Sequence, residues 1–299
     1  MSHRLIGLNL HSTLLYLIFV IALLSAIVIS NAQAMYINVF CFVVIALLGL
    51  PHGVIDPWLY DKTMMRKPKT LVFFCCLYLL VAFLMLMLWY WLAWLALLVF
   101  FAISALHFGQ DWSVDKSVDE SVDKLDKGLI VCLSAGTMVI LWPFVTRTEE
   151  SLVIIQYLGV NAGHFSFELA LFLTCIAAML LIASKQLLIL GQLILLGIMS
   201  WLVDPFIYFS LYFCLFHSVL HYRSHLNEIV LAFRTDRLVF LLLLIATYLL
   251  IVLLLLYTSR YGNLEGAFYQ TIFWILSALT VPHMLVVDGR LRRQKSISH

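Results

Sequence analysis

Ten histidines occur in this 299-residue chain, and five of them fall where imidazoles could share one task. His52, His107, His217, His221 and His283 each lie in or at the end of a long apolar stretch. Imidazole is costly in hydrocarbon, so a histidine at that depth usually marks a functional interior position. His217 and His221 are spaced i, i+4, which on an α-helix places both rings on one face and lets them bind one metal ion. Alone, the pair fits two interfacial histidines reaching for water equally well. Joined by single histidines from two other helices, His52 and His107, it would make a four-nitrogen site. Such a site suits zinc or iron, and donor chemistry does not choose between them.

Each single histidine is followed by an acid: Asp56 after His52, Asp111 after His107 and Asp288 after His283. The first two pairs are again i, i+4. A carboxylate there would accept the ring N–H that the metal does not use and offset the metal's charge. The same aspartates would also be expected simply where each helix meets water. His164 belongs to the opposite face and His3, His11 and His299 to the ends, while His225 lies a turn beyond His221; these five are left out of the site. The six cysteines, Cys41, Cys75, Cys76, Cys132, Cys175 and Cys214, sit in apolar stretches without a Cys-x-x-Cys pair and read as small buried hydrophobes.

The elements that must position these side chains follow from composition. With 64% hydrophobic and 11% charged residues and a mean hydropathy of +1.05, the chain has bilayer rather than water as its main solvent. The expectation is an all-α, polytopic transmembrane helix bundle, a single integral membrane domain over residues 1–299. About ten spans are expected, with eight or nine as the lower count. They fall near 12–30, 36–53, 70–89, 91–109, 128–146, 165–184, 186–203, 206–222, 238–258 and 267–287. As one helix the uncharged stretch Thr70 to Gln110 would be about 60 Å long, twice the hydrocarbon thickness. It must therefore break, and the aromatic cluster Trp89-Tyr90-Trp91 with Trp94 suits an interfacial turn.

Alternating the ten spans from an inside N-terminus leaves Arg147 and Arg260 on one face and the other sixteen of the eighteen basic residues on the opposite one. Short cytoplasmic loops carry the Lys and Arg excess, so both termini are expected in the cytoplasm and the chain in the cell (inner) membrane. All five site histidines then fall on the cytoplasmic side. The first apolar run, Thr13 to Ile29, exceeds a signal-peptide core and reads as a retained span. No basic stripe with interleaved aromatics occurs, so nucleic acid is not an expected partner. No Lys lies in the middle of a span, which excludes a rhodopsin holding retinal as a Schiff base. The loop Ser113 to Lys127 repeats Ser-Val-Asp, as a short amphipathic helix or a solvated low-complexity loop, and carries no assigned chemistry.

Four segments together resemble the Brp/Blh family, membrane carotene oxygenases of bacteria and archaea that make retinal for rhodopsins. They are Gly49-Leu50-Pro51-His52-Gly53-Val54-Ile55-Asp56, Ser104-Ala105-Leu106-His107-Phe108-Gly109-Gln110-Asp111, Phe213 to His221 with its His217-x-x-x-His221, and Thr280-Val281-Pro282-His283 to Asp288. They keep the family's order and extend from the second span to the tenth. The resemblance implies cleavage of beta-carotene at its central 15,15' double bond by a non-haem iron, Fe(2+), with dioxygen, giving two molecules of retinal that a rhodopsin could receive. It implies His52, His107, His217 and His221 as iron ligands. His283, with Asp56, Asp111 and Asp288, would stand near the substrate or behind the ligands. Leu220 departs from the pattern, since Arg often precedes the second histidine of that motif. Arg223 would replace it only by pointing along the same face.

A carotenoid is a rigid apolar rod dissolved in lipid, so such an enzyme needs a membrane-open tunnel of apolar and aromatic groups. No flavin or nicotinamide fingerprint occurs, which suits oxygen chemistry without an external reductant. Three other classes make different demands. A membrane lipid desaturase or hydroxylase would bind two metals and need about eight clustered histidines. A transporter would place ionisable groups near the bilayer midplane, with repeats and broken helices. A non-catalytic carotenoid-binding protein with a structural metal would give no product.

Overall fold

With no water in the hydrocarbon to satisfy backbone groups, a chain this apolar must close its hydrogen bonds within helices or a barrel. In the computed structural model the described residues form helices and no strands. The structure describes residues 2–28, 34–61, 68–112, 122–161, 163, 165–260 and 262–297, without the side chains of 2–9, 27, 28, 34, 35, 52, 68, 122–127 and 288–297. The Ser-Val-Asp repeat lies largely outside the described residues, as do His164 and His299.

The helices are α1 (Ser2–Val28), α2 (Ala34–Val44), α3 (Asp56–Tyr60), α4 (Pro68–Trp91), α5 (Ala93–Gly109), α6 (Val122–Thr146), α7 (Thr148–Tyr157), α8 (Phe167–Ala183), α9 (Leu187–Leu202), α10 (Pro205–Ser210), α11 (Ser218–Ser224), α12 (Leu226–Thr235), α13 (Arg237–Thr258) and α14 (Leu264–Ile297). Two stretches widen into π-helix, Ile45–Gly49 and Leu211–His217, and two tighten into 3-10 helix, Leu50–Ile55 and Gln110–Trp112. Each deviation adjoins or contains one of the histidine motifs.

By length and composition six helical stretches could cross a membrane: Tyr36–Tyr60, Lys69–Trp91, Ala93–Trp112, Gly128–Thr146, Arg237–Thr258 and Leu264–Val287. Leu10–Ala26, Phe167–Ala183 and Leu187–Leu202 are apolar but shorter. The expected span 206–222 is a composite of α10, a π-helical segment and α11. The count of about ten is therefore not reached by helices of full length. The break expected near residue 90 falls at Leu92, between α4 and α5. Tyr90, Trp91 and Trp94 are exposed there, but Trp89 is buried, stacked on Trp274 and donating its indole N–H to Ser277 Oγ.

The chain clusters into two compact units, each discontinuous in sequence: Met1–Cys41 with Phe101–Leu220, and Phe42–Phe100 with His221–His299. In the first, α6 packs against α8, α9 and the 3-10 turn at Gln110–Trp112, and α1 packs against α9 and the π-helical segment before Ser218. The carboxy-terminal half of α5 approaches α6 through small residues one turn apart. A Cβ on Gly109 would meet the Cys132 carbonyl, and one on Gly136 would meet the Ala105 carbonyl. Only glycine allows this backbone approach. Further on, Asp204 accepts a hydrogen bond from Phe206 N at 2.8 Å and Pro205 occupies the first turn of α10. This Asp-Pro start fixes where the helix leading to His217 begins.

In the second unit α14 packs against α4, α13, α3 and the 3-10 segment Leu50–Ile55. Ile55, Leu59 and Val286 form a buried core there, with Phe74, Ile229 and Phe240 packed on it. Pro282 lies inside α14, one residue before His283. Its missing N–H removes the donor that would meet the Ala278 carbonyl, loosening the helix where the histidine sits.

Candidate metal centre

His107 and His217 come together in the first unit, their ring centroids 4.4 Å apart at an interplanar angle of 69°. Both are almost fully buried. His217 closes the π-helical segment, whose extra residue per turn is held by Ser218 Oγ donating to the Phe213 carbonyl at 2.8 Å. Such π turns recur at functional sites because they re-aim one side chain without ending the helix. The ring of His217 stacks on Phe213 at 5.8 Å and meets Phe108 edge-on at 5.1 Å. Its Nδ1 lies 2.9 Å from Asp111 Oδ2, and Tyr212 donates its hydroxyl to the same oxygen at 3.0 Å while accepting from Trp112 Nε1 at 3.1 Å.

Asp111 thus serves His217, where the sequence spacing pointed to His107. The reason is local geometry. α5 ends at Gly109 and the chain tightens into 3-10 helix over Gln110–Trp112, so Asp111 leaves the α-helical i+4 position.

The second unit repeats the arrangement with different residues. His283 Nδ1 lies 2.7 Å from Asp56 Oδ1, and Tyr78 donates its hydroxyl to Asp56 Oδ2 at 2.9 Å. The Leu279 carbonyl is farther from that hydroxyl, at 3.3 Å, so the single proton goes to the carboxylate. His221 meets His283 edge-on at 5.2 Å and His225 at 4.7 Å. Asp56 thus serves His283, a ring that the i, i+4 spacing did not single out. Residues 50–55 are 3-10 helix, in which four residues advance the chain about 120° past a full turn. The side chains of His52 and Asp288 lie outside the described residues, and so does the expected relation of Asp288 to His283.

The structure accordingly groups His107 with His217 and His221 with His283. Arg223 is exposed, and no described contact puts it in the place of the arginine that Leu220 lacks. Tyr78, Tyr212 and His225 were not expected at the site. Nor was His11, whose ring packs 4.7 Å from Trp112 and 4.8 Å from Phe216, beside the aromatic group around Asp111. Tyr78 and Tyr212 lie in apolar stretches where a tyrosine reads as core, and only their proximity to a carboxylate marks them.

Among the described residues no three His, Cys, Asp or Glu side chains gather closely enough to hold a metal ion. What the described residues do have is the donor chemistry of half-sites. An ionised carboxylate is acceptor-only, so beside Asp111 and Asp56 a neutral His217 or His283 donates from Nδ1–H and keeps its lone pair on Nε2. Buried, aromatic-walled imidazoles with that tautomer fit a divalent iron or zinc.

The sequence profile of the beta-carotene 15,15'-dioxygenase family matches residues 43–289 of the chain, which include all four histidine segments. The chain belongs to this family. Among curated proteins, the beta-carotene 15,15'-dioxygenase of the uncultured marine bacterium 66A03 is 27% identical over 278 residues, covering 88% of this chain and 97% of that protein. No solved structure matches. The family match begins at Val43, just before the first π-helical segment, and ends past Asp288. Both Tyr–Asp–His groups therefore lie inside the part of the chain shared with the dioxygenase family.

Proposed function

We propose that this protein cleaves beta-carotene at its central 15,15' double bond with dioxygen, yielding two molecules of all-trans-retinal, and that the reaction depends on one ferrous iron. The observation that carries this reading is that two buried imidazoles, His217 and His283, each hold Nδ1 against a carboxylate, within a chain matched to the dioxygenase family over residues 43–289. His52, His107, His217 and His221 are the proposed ligands, a set that comes from the motif spacing and the family resemblance. Iron supplies the one-electron chemistry by which dioxygen reacts with a closed-shell polyene, which no side chain provides.

The chain's own residues do the rest. Asp111, steadied by Tyr212, fixes the His217 ring in the tautomer and rotation a ligand needs. Phe108 and Phe213 wall that ring with apolar surface, which keeps water from the reacting polyene. The substrate arrives from the bilayer, where a carotenoid already resides, and the exposed apolar helices face that medium. In the overall reaction the central carbon–carbon double bond breaks and each carbon gains one atom of the same dioxygen. The balance closes without a reductant. The setting is the cell membrane with both termini and the histidine ends of the helices on the cytoplasmic side, where the retinal can pass to a rhodopsin.

The test is expression in a bacterium that makes beta-carotene, followed by pigment extraction. The expected result is loss of orange carotenoid with appearance of retinal. Unchanged carotenoid, with the protein present in the membrane, would instead favour a carotenoid-binding role.

A further inference from the structure

We propose that His283 is itself an iron ligand through Nε2, held by Asp56 and Tyr78 as His217 is held by Asp111 and Tyr212. The assignment rests on the iron-oxygenase reading above but extends its ligand set, in which His283 stood only near the substrate or behind the ligands.

Three observations converge. First, the chain uses one motif twice, His-x-x-x-Asp at His52 to Asp56 and at His107 to Asp111. In each case the aspartate lies within hydrogen-bond distance of a histidine of a later helix. For the second motif that later histidine is His217, a proposed ligand; by the same construction the first motif selects His283. Second, the supports match in detail, a tyrosine hydroxyl on the carboxylate at 2.9 Å in one and 3.0 Å in the other, with a second imidazole at 5.2 Å and 4.4 Å. The second imidazole beside His283 is His221, also a proposed ligand. Third, Asp56 is 1% exposed and His283 2%. A carboxylate at that depth is expensive, and a histidine kept only for packing would do as well or better as an apolar side chain. A cation on the far nitrogen of His283 supplies the charge that the buried carboxylate balances.

The experiment uses full-length purified protein, wild type and the variants His283→Ala, Asp56→Asn and Tyr78→Phe, loaded anaerobically with ferrous iron. Iron affinity and the imidazole count from X-ray absorption at the iron edge are read without any turnover. His283→Ala should lose one imidazole from the iron and bind it about a hundredfold more weakly, with added free imidazole restoring part of the affinity; Asp56→Asn should weaken binding roughly 10- to 100-fold and Tyr78→Phe less. Wild-type affinity and an unchanged imidazole count in His283→Ala would overturn the assignment and leave the iron reading standing. If His283→Ala is not recovered folded, unchanged iron affinity in both Asp56→Asn and Tyr78→Phe overturns it. A wild-type protein that takes up no iron would remove both the iron reading and this assignment, a distinct result.

Discussion

Nδ1 of His283 lies 2.7 Å from Oδ1 of Asp56, across 227 positions of sequence, and it has a counterpart in the 2.9 Å contact of His217 with Asp111 across 106. In both cases the carboxylate reaches a ring that sequence spacing did not assign to it. Asparagine keeps the size of Asp111 but brings an amide that can present a donor to Nδ1, so the ring loses the partner that fixes its tautomer. Asp111→Asn should lower retinal formation about 10- to 100-fold with the protein still in the membrane. Equal rates of retinal formation in membranes with matched protein levels would contradict this.

The approach of α5 to α6 gives a second expectation. A methyl group on Gly136 would strike the Ala105 carbonyl, two residues from His107. Gly136→Ala should push the helices apart, lower the thermal unfolding midpoint in detergent and reduce cleavage. Gly191→Ala, in α9, meets nothing within 4 Å and trades glycine for a better helix former, so it should leave the midpoint unchanged or slightly raised, by up to about 1 kcal/mol. Midpoints of the two variants that move together would remove the close-packing argument.

The tyrosines separate support from ligation. Tyr212→Phe removes one hydrogen bond to Asp111 and leaves the His217 contact in place. A hydrogen bond to a charged group contributes about 1.5 to 3 kcal/mol, so the variant should be milder than His217→Ala, which removes a proposed ligand outright and should abolish turnover. Retained iron and full activity in His217→Ala would discard the ligand set.

Topology offers a check that involves no chemistry. Reporter fusions at Arg147 and Arg260 should signal the outer face and fusions at either terminus the cytoplasm. A cytoplasmic signal at Arg147 would mean that the chain crosses the bilayer a different number of times before α7.

Much of this arrangement is legible in the sequence because hydropathy reports what the bilayer demands. Gly128–Thr146 and Arg237–Thr258 coincide with expected spans to within a residue. The cost of imidazole in apolar stretches likewise singled out His107, His217, His221 and His283, which the structure sets in two contacts, His107 with His217 and His221 with His283. What sequence did not disclose is where the helix stops being α. Counting i, i+4 assumes 3.6 residues per turn, and the chain departs from that at Leu50–Ile55, Gln110–Trp112 and Leu211–His217. Asp56 and Asp111 were expected beside imidazoles, but spacing did not name the rings they reach, His283 and His217. Trp89 shows the same limit at an expected turn, since an aromatic cluster does not say which ring turns inward to meet Trp274. Short helices such as α7 and α12 lie in segments too polar or too brief for a hydropathy window to mark.

The central claim, iron-dependent symmetric cleavage, is tested most directly by incubating purified protein with beta-carotene under labelled dioxygen, with and without ferrous iron and with no electron donor. Products are trapped before their aldehydes exchange oxygen with water. Retinal is expected only when iron is present, with label in both halves of the cleaved molecule. Retinal formed equally by iron-free protein, or no retinal from iron-loaded protein, would contradict it.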